Sequence, residues 1–306
     1  MRIFLTGATG YIGSAVLDAM IKGGHQVTAI ARDPEKAERL LGKGATPIIG
    51  ELGTAKTYLD VVRSSDAVIH TAYEYSPRGV ALDHQALETM LGAMAEAPLA
   101  DGKPRAFVYT SGVWVLGKNT RPADEDAAVN PVAHVSWRPD HEALVTSAAA
   151  SGLRTAVIRP GIVYGGARGI VSDLLKDALN GLIRVVGPGK NHWPCIYDRD
   201  LGDLFLRVVQ SPEGSGVFHA NDEADERVND IVEAIAGQAP QRPDVRHMPM
   251  AEARKKMGPY ADALALDQRV RSSRARALGW APSLRGIAPS VARLFEEYRN
   301  EKRRQE

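Results

Sequence analysis

The chain has 306 residues, enough for one doubly wound domain with an appendage or for two comparable domains. Its 38 Lys and Arg against 37 Asp and Glu give no overall field to gather nucleic acid or an anionic membrane, so the expected partner is a small molecule. Cys195, the single cysteine, excludes an intrachain disulfide and fits a reducing compartment, the cytoplasm by default; "MRIFLTG" is too short for a signal-peptide core, and no run nears the roughly 18 apolar residues of a membrane span.

Short β-branched runs alternate with amphipathic stretches through the first half. "RIFLT" precedes 11–22, "QVTAIA" precedes 34–42, "TPIIG" precedes 54–64 and "AVIHTA" precedes 80–96; "AFVYTS" follows, then 134–151 before "TAVIRP". This spacing predicts an α/β fold of Rossmann type, a doubly wound parallel sheet with helices on both faces. From about residue 165 the rhythm breaks into Gly/Pro-rich loops, "GGARG", "GPGKNHWP" and "QSPEGSG", with "IRVVG" and "GVFHA" as the last strand-like pieces. The division expected is a nucleotide-binding domain over 1–165, to which later segments return, and a smaller, mostly helical substrate lobe over 166–306.

"FLTGATGYIGSAV" sets Gly7, Gly10 and Gly13 where the first strand gives way to the first helix, with Tyr11 and Ile12 among them. Glycine permits positive φ and close backbone approach, so a pyrophosphate can rest on the amides at the helix N-terminus. At the end of the second strand an acid would select NAD by its ribose hydroxyl, whereas an arginine suits the 2′-phosphate of NADP. "AIARDPEK" puts Arg32 there, with Lys36 in support, so NADP is favoured over NAD.

"TGATGYIG", "GEL" at 50–52, "VIHTA" at 68–72, "YTSGVWVLG" at 109–117, "RPGIVYG" at 159–165 and "ALGWAPS" at 277–283 follow one another as in the extended short-chain dehydrogenases/reductases. The chain resembles their epimerase/dehydratase branch over nearly its whole length. The resemblance implies that Glu51 and Leu52 border the adenine, that Ala72 lines the cofactor groove, and that Pro160, Ile162 and Val163 face the nicotinamide. It also implies a homodimer through the helices near 80–96 and 134–151.

The family's chemistry uses a Ser or Thr, and a Tyr followed four residues later by Lys. Counting back from Glu142 puts His134 in the tyrosine's place and Arg138 in the lysine's; the hydroxyl position falls on Gly112, beside Ser111. If the helix has begun by His134, the two side chains lie one turn apart. Arg138 can hold a ribose hydroxyl but cannot release a proton, and its charge pushes His134 toward the neutral form. Such an imidazole suits an iminium, a conjugated enone or the oxidative direction; Tyr73, Tyr75 and Tyr164 are other proton sources near the cofactor edge. The same two residues also read as a histidine that only begins the helix and an arginine that only pairs with an acid.

The resemblance places Trp193 where nucleotide-sugar enzymes carry an arginine for the substrate diphosphate. An indole stacks on a flat or apolar substrate but neutralises nothing; Trp193 reads equally as a core residue, and Trp114 and Trp137 share the ambiguity. No third ligand joins His134 and His141 into a metal site, and there is no Gly-x-Ser-x-Gly elbow. The leading expectation is an NADP-dependent oxidoreductase of a small carbonyl, imine or enone. An epimerase or dehydratase with retained cofactor and a non-catalytic NADP-binding sensor are the alternatives.

Overall fold

The computed structural model describes residues 1–96 and 104–305. The first half runs β1 (Arg2–Thr6), α1 (Tyr11–Lys22), β2 (Gln26–Ala31), α2 (Pro34–Gly42), β3 (Thr46–Ile49), α3 (Leu59–Ser64), β4 (Ala67–His70), α4 (Gly79–Glu96) and β5 (Ala106–Thr110). It continues through α5 (Arg138–Ser147), β6 (Arg154–Pro160), β7 (Ile162–Tyr164), α6 (Gly169–Leu179), β8 (Leu182–Val186), β9 (His192–Trp193), β10 (Cys195–Tyr197), α7 (Asp198–Gln210) and β11 (Gly216–Ala220). Seven parallel strands form the central sheet in the order β11-β6-β5-β4-β1-β2-β3, a Rossmann arrangement.

Alternation along β1 shows why two layers of helices cover it. Ile3 and Leu5 point to one face, where Val16, Leu17 and Met20 of α1 and Leu204 and Phe205 of α7 bury them; Phe4 points to the other, against Leu87 and Met90 of α4. Gly202 lets α7 come close to α1, since a Cβ there would stand 2.6 Å from the Ala15 carbonyl oxygen. A separate apolar core holds the later helices together, with Val171 and Leu175 of α6 packed among Ile231, Ile235 and Leu294. Here β8 pairs in parallel with Asp244–Met248, a strand absent from the sequence expectation. Its residues are largely exposed, so no buried apolar face announces it. Among the described residues no helix is long and apolar enough to cross a membrane.

The stretch 134–151 is not one helix. A 3₁₀ turn spans Ala133–Val135, α5 begins only at Arg138, and a second 3₁₀ turn, Ala148–Ser151, follows it. Pro139 accounts for the late start: Ser136 and Trp137 before it already have αR backbone, but with no N–H the proline cannot donate to Val135 O and carry an α-helical ladder back through the turn, whereas in a helix's first turn its missing N–H costs nothing. α5 is fastened to β6 by a buried ion pair, with Arg159 Nη2 donating to Glu142 Oε2 at 2.6 Å and Nε to Oε1 at 3.0 Å.

Strand order reverses between β1 and β4. Loops leaving these two strands diverge to opposite faces of the sheet, which opens a crevice at their carboxyl ends.

Candidate active site

The loop from β1 to α1 is built on bare backbone. Gly7 has φ +74°, and a Cβ on it would sit 2.7 Å from the Ala72 amide nitrogen; a Cβ on Gly13 would overlap the Gly7 carbonyl oxygen. The Gly10 N–H closes the turn onto Gly7 O at 2.8 Å. Gly10, at the N-cap of α1, offers no side chain to the free amides, and the first turn contains no acid. Unsatisfied N–H groups and the helix dipole therefore suit an anion, and the diphosphate of a dinucleotide fits this cradle. Two contacts from beyond β7 cover the loop: Tyr11 OH donates to Gly165 O at 2.7 Å, and Arg168 Nη1 donates to Thr9 O at 3.0 Å.

Arg32 stands exposed just after β2 and, among the described residues, forms no ion pair. Lys36 is already engaged by Asp33, whose carboxylate also caps α2 through the Lys36 N–H at 2.9 Å. Glu51 is exposed beyond β3, and Tyr58 OH holds the neighbouring turn by donating to Leu52 O at 2.9 Å.

A cleft of about 620 Å³ lies beyond the carboxyl ends of β4, β5 and β6 and meets the glycine loop at Ile12. Ile12, Ala72, Pro160, Ile162 and Val163 line it, together with Tyr73, Ser111, Trp114, His134 and Arg138. Trp193 and Tyr164 are not brought to it. Trp193 is buried in the second core with its indole N–H donating to Leu264 O at 2.9 Å, and the fully buried Tyr164 donates to Asp222 Oδ2 at 3.1 Å. For Trp193 the structure realises the core reading.

Two aromatic groups shape the cleft. Tyr73 stacks on Trp137 at 5.1 Å between centroids and meets the exposed Tyr75 edge-on at 5.0 Å. His134 lies 5.2 Å from the ring of Tyr260 and 6.0 Å from that of Trp114. Burial, and then the charge of Arg138, lowers the His134 pKa, so its imidazole is neutral at pH 7. Ser111 lines the cleft, and its buried Oγ accepts or donates no hydrogen bond among the described residues. Arg138 is the only cation lining the cleft among the described residues. It lies 4.4 Å from the Trp137 ring centroid and donates to Thr110 O at 3.0 Å and to Tyr109 OH at 3.2 Å.

Tyr109 leads to Asp83 on α4 and His70 at the end of β4, which the sequence reading passed over, and to His141 on α5, which it weighed only as a metal ligand. A usable signal was present. His70 closes an otherwise apolar strand, and Asp83 shares a helix face with Leu87 and Met90, so both put polar atoms where periodicity assigns core.

Residues 3–220 match the NAD dependent epimerase/dehydratase family. An uncharacterized protein of Schizosaccharomyces pombe is 30% identical, the match covering 92% of this chain and 95% of that one. The 4-hydroxy-2-methyl-3-oxo-4-farnesyl-3,4-dihydroquinoline-1-oxide ketoreductase of Stigmatella aurantiaca is 26% identical over 83% of this chain and 78% of its own. The human epimerase family protein SDR39U1, solved with NADPH, superposes with a TM-score of 0.73 at 22% identity, covering 97% of this chain and 99% of that one. With a glycine cradle at the sheet's switch point and a family match over most of its length, this chain belongs to the NAD dependent epimerase/dehydratase family.

Proposed function

We propose that the protein is an NADPH-dependent oxidoreductase of a small, flat, largely apolar carbonyl, imine or enone compound. The observation that carries this reading is a cleft that borders the glycine loop at Ile12 and has aromatic walls, with Arg138 as its one lining cation among the described residues. Stacking on Trp137, Tyr73 and Trp114 favours a planar apolar molecule. The quinoline-oxide ketoreductase among the relatives supports a reaction of this class, and NADPH in the human structure supports the cofactor.

NADPH, when bound, supplies the hydride. Ser111 offers its hydroxyl to the substrate's oxygen or to the cofactor. Arg138 donates hydrogen bonds and no proton. Neutral His134 is a weak acid and a fair base, which suits a reduction needing little acid assistance or the reverse oxidation.

Arg32→Ala tests the choice of cofactor. It should weaken NADPH binding by about 1–3 kcal/mol and leave NADH binding nearly unchanged, because only the 2′-phosphate needs the guanidinium. Equal losses for both would remove Arg32 from that role. His134→Phe should lower turnover about tenfold with little change in NADPH affinity, measured as NADPH oxidation against a panel of ketones, imines and enones. Unchanged turnover would take His134 out of the chemistry. Tight NADPH binding without consumption on any member would favour retained-cofactor epimerisation or a sensor.

A further inference from the structure

Behind the cleft wall that carries Arg138 lies a chain of polar groups with no access to solvent. Thr6, His70, Asp83, Tyr109 and His141 come from β1, β4, α4, β5 and α5, and each is at most 3% exposed. Asp83 is at the centre. Its Oδ1 accepts from His70 Nε2 at 3.1 Å, and its Oδ2 accepts from His141 Nδ1 at 2.8 Å and from Tyr109 OH at 2.9 Å.

An ionised carboxylate can only accept, so the direction of each bond to Asp83 follows. His70 gives its Nε2 proton to Asp83, and its Nδ1 is hydrogen-bonded to Thr6 Oγ1 at 2.6 Å; Thr6 Oγ1 also accepts the Ala72 N–H at 3.3 Å. Tyr109 gives its proton to Asp83 and can then only accept, which it does from Arg138 Nη1 at 3.2 Å. Burial raises the Asp83 pKa, and the hydrogen bonds from His141 and His70 more than reverse this, holding the carboxyl well below the usual range. Among the described residues Arg138 forms no ion pair, and the Asp83 carboxylate is linked to it through one phenol oxygen.

We propose that Asp83 is a positioning residue that, through the Tyr109 hydroxyl, fixes the Arg138 guanidinium in the cleft wall where it meets the bound dinucleotide. The inference rests on the reading of the cleft as an NADPH site. A guanidinium on a flexible stem loses rotamer freedom when it binds, and holding it beforehand removes that cost from ligand binding. Its carbonyl partner, Thr110 O, fixes one side and the phenol the other, with Trp137 beneath. The other end of the network reaches Ala72 on the cofactor groove, so one buried carboxylate braces both.

A double-mutant cycle distinguishes positioning from a merely structural network. Asp83→Asn and Tyr109→Phe should each weaken NADPH binding about tenfold in the otherwise native protein, and less than about twofold in an Arg138→Gln background. Melting temperatures would fall by similar amounts in both backgrounds. Equal binding losses in the two backgrounds, or no loss in the first, would overturn the proposal. Tyr109→Phe serves if Asp83→Asn does not fold, since it keeps Asp83 and both histidines and removes only the bridging oxygen. A crystal structure of Tyr109→Phe reads the same idea without a ligand. The guanidinium should leave its place over Trp137, and an unmoved Arg138 would also overturn the proposal. If the wild type fails to bind NADPH, the cofactor reading falls, and the crystal structure alone then decides the role of Asp83.

Discussion

Gly13→Ala reduces NADPH affinity by about 100-fold or more, a loss of about 2.7 kcal/mol. The added methyl would occupy the space of the Gly7 carbonyl oxygen and crowd the Thr71 hydroxyl, so the loop must shift. Neither obstacle is the free end of a flexible side chain. Gly7 cannot give way easily, because its own φ of +74° and its approach to Ala72 already fix it. The amides that should converge on a diphosphate would then diverge, and binding built on several aligned donors fails together. Fluorescence titration with NADPH checks this. Binding within threefold of wild type would mean that the loop is not the diphosphate site.

The second large effect is on stability. Arg159→Leu should destabilise the fold by about 3–5 kcal/mol, because it leaves the Glu142 carboxylate buried without its partner. Replacing both residues by leucine should cost much less, since no charge is then stranded. Urea denaturation of the two variants at neutral pH makes the comparison. A double variant as unstable as the single one would show that packing, not the stranded charge, carries the loss. Because the pair fastens α5 to β6, the single variant should also loosen Arg138 at the start of that helix.

Much of the fold was legible because its signals are local. Each early strand is a short apolar run followed by an amphipathic segment, and Gly7, Gly10 and Gly13 mark the junction of the first strand and first helix. The start of α5 was misread because His134, Arg138 and His141 invite a helical count, whereas Pro139 dictates where the helix begins. His134 and Arg138 nevertheless line the same cleft, since the 3₁₀ turn still carries the histidine toward it. Trp193 illustrates a different limit. The family resemblance alone made it a substrate-contacting candidate, but its short strand pairs with Glu226–Arg227 and turns the indole inward to Leu264. Asp83 stayed hidden because no spacing rule links it to Tyr109, 26 residues away, or to His141, 58 away. Only the sheet order brings α4, β5 and α5 side by side.

The packing of α7 on α1 also bears on how the chain is made. Synthesis proceeds from the N-terminus, and the glycine loop and α1 leave the ribosome early. Their covering partners are Gly165, Arg168 and α7 around Gly202, while the edge strand β11 closes the sheet only at 216–220. Contacts that distant in sequence carry a large loop-closure cost before they return any stability. A nascent chain that has emerged only through β6 therefore exposes the apolar face of α1 and holds an uncovered glycine loop. The nucleotide cradle, made before the segments that cover it, takes its final shape only after they emerge, and that interval is when the growing chain depends most on protection from aggregation.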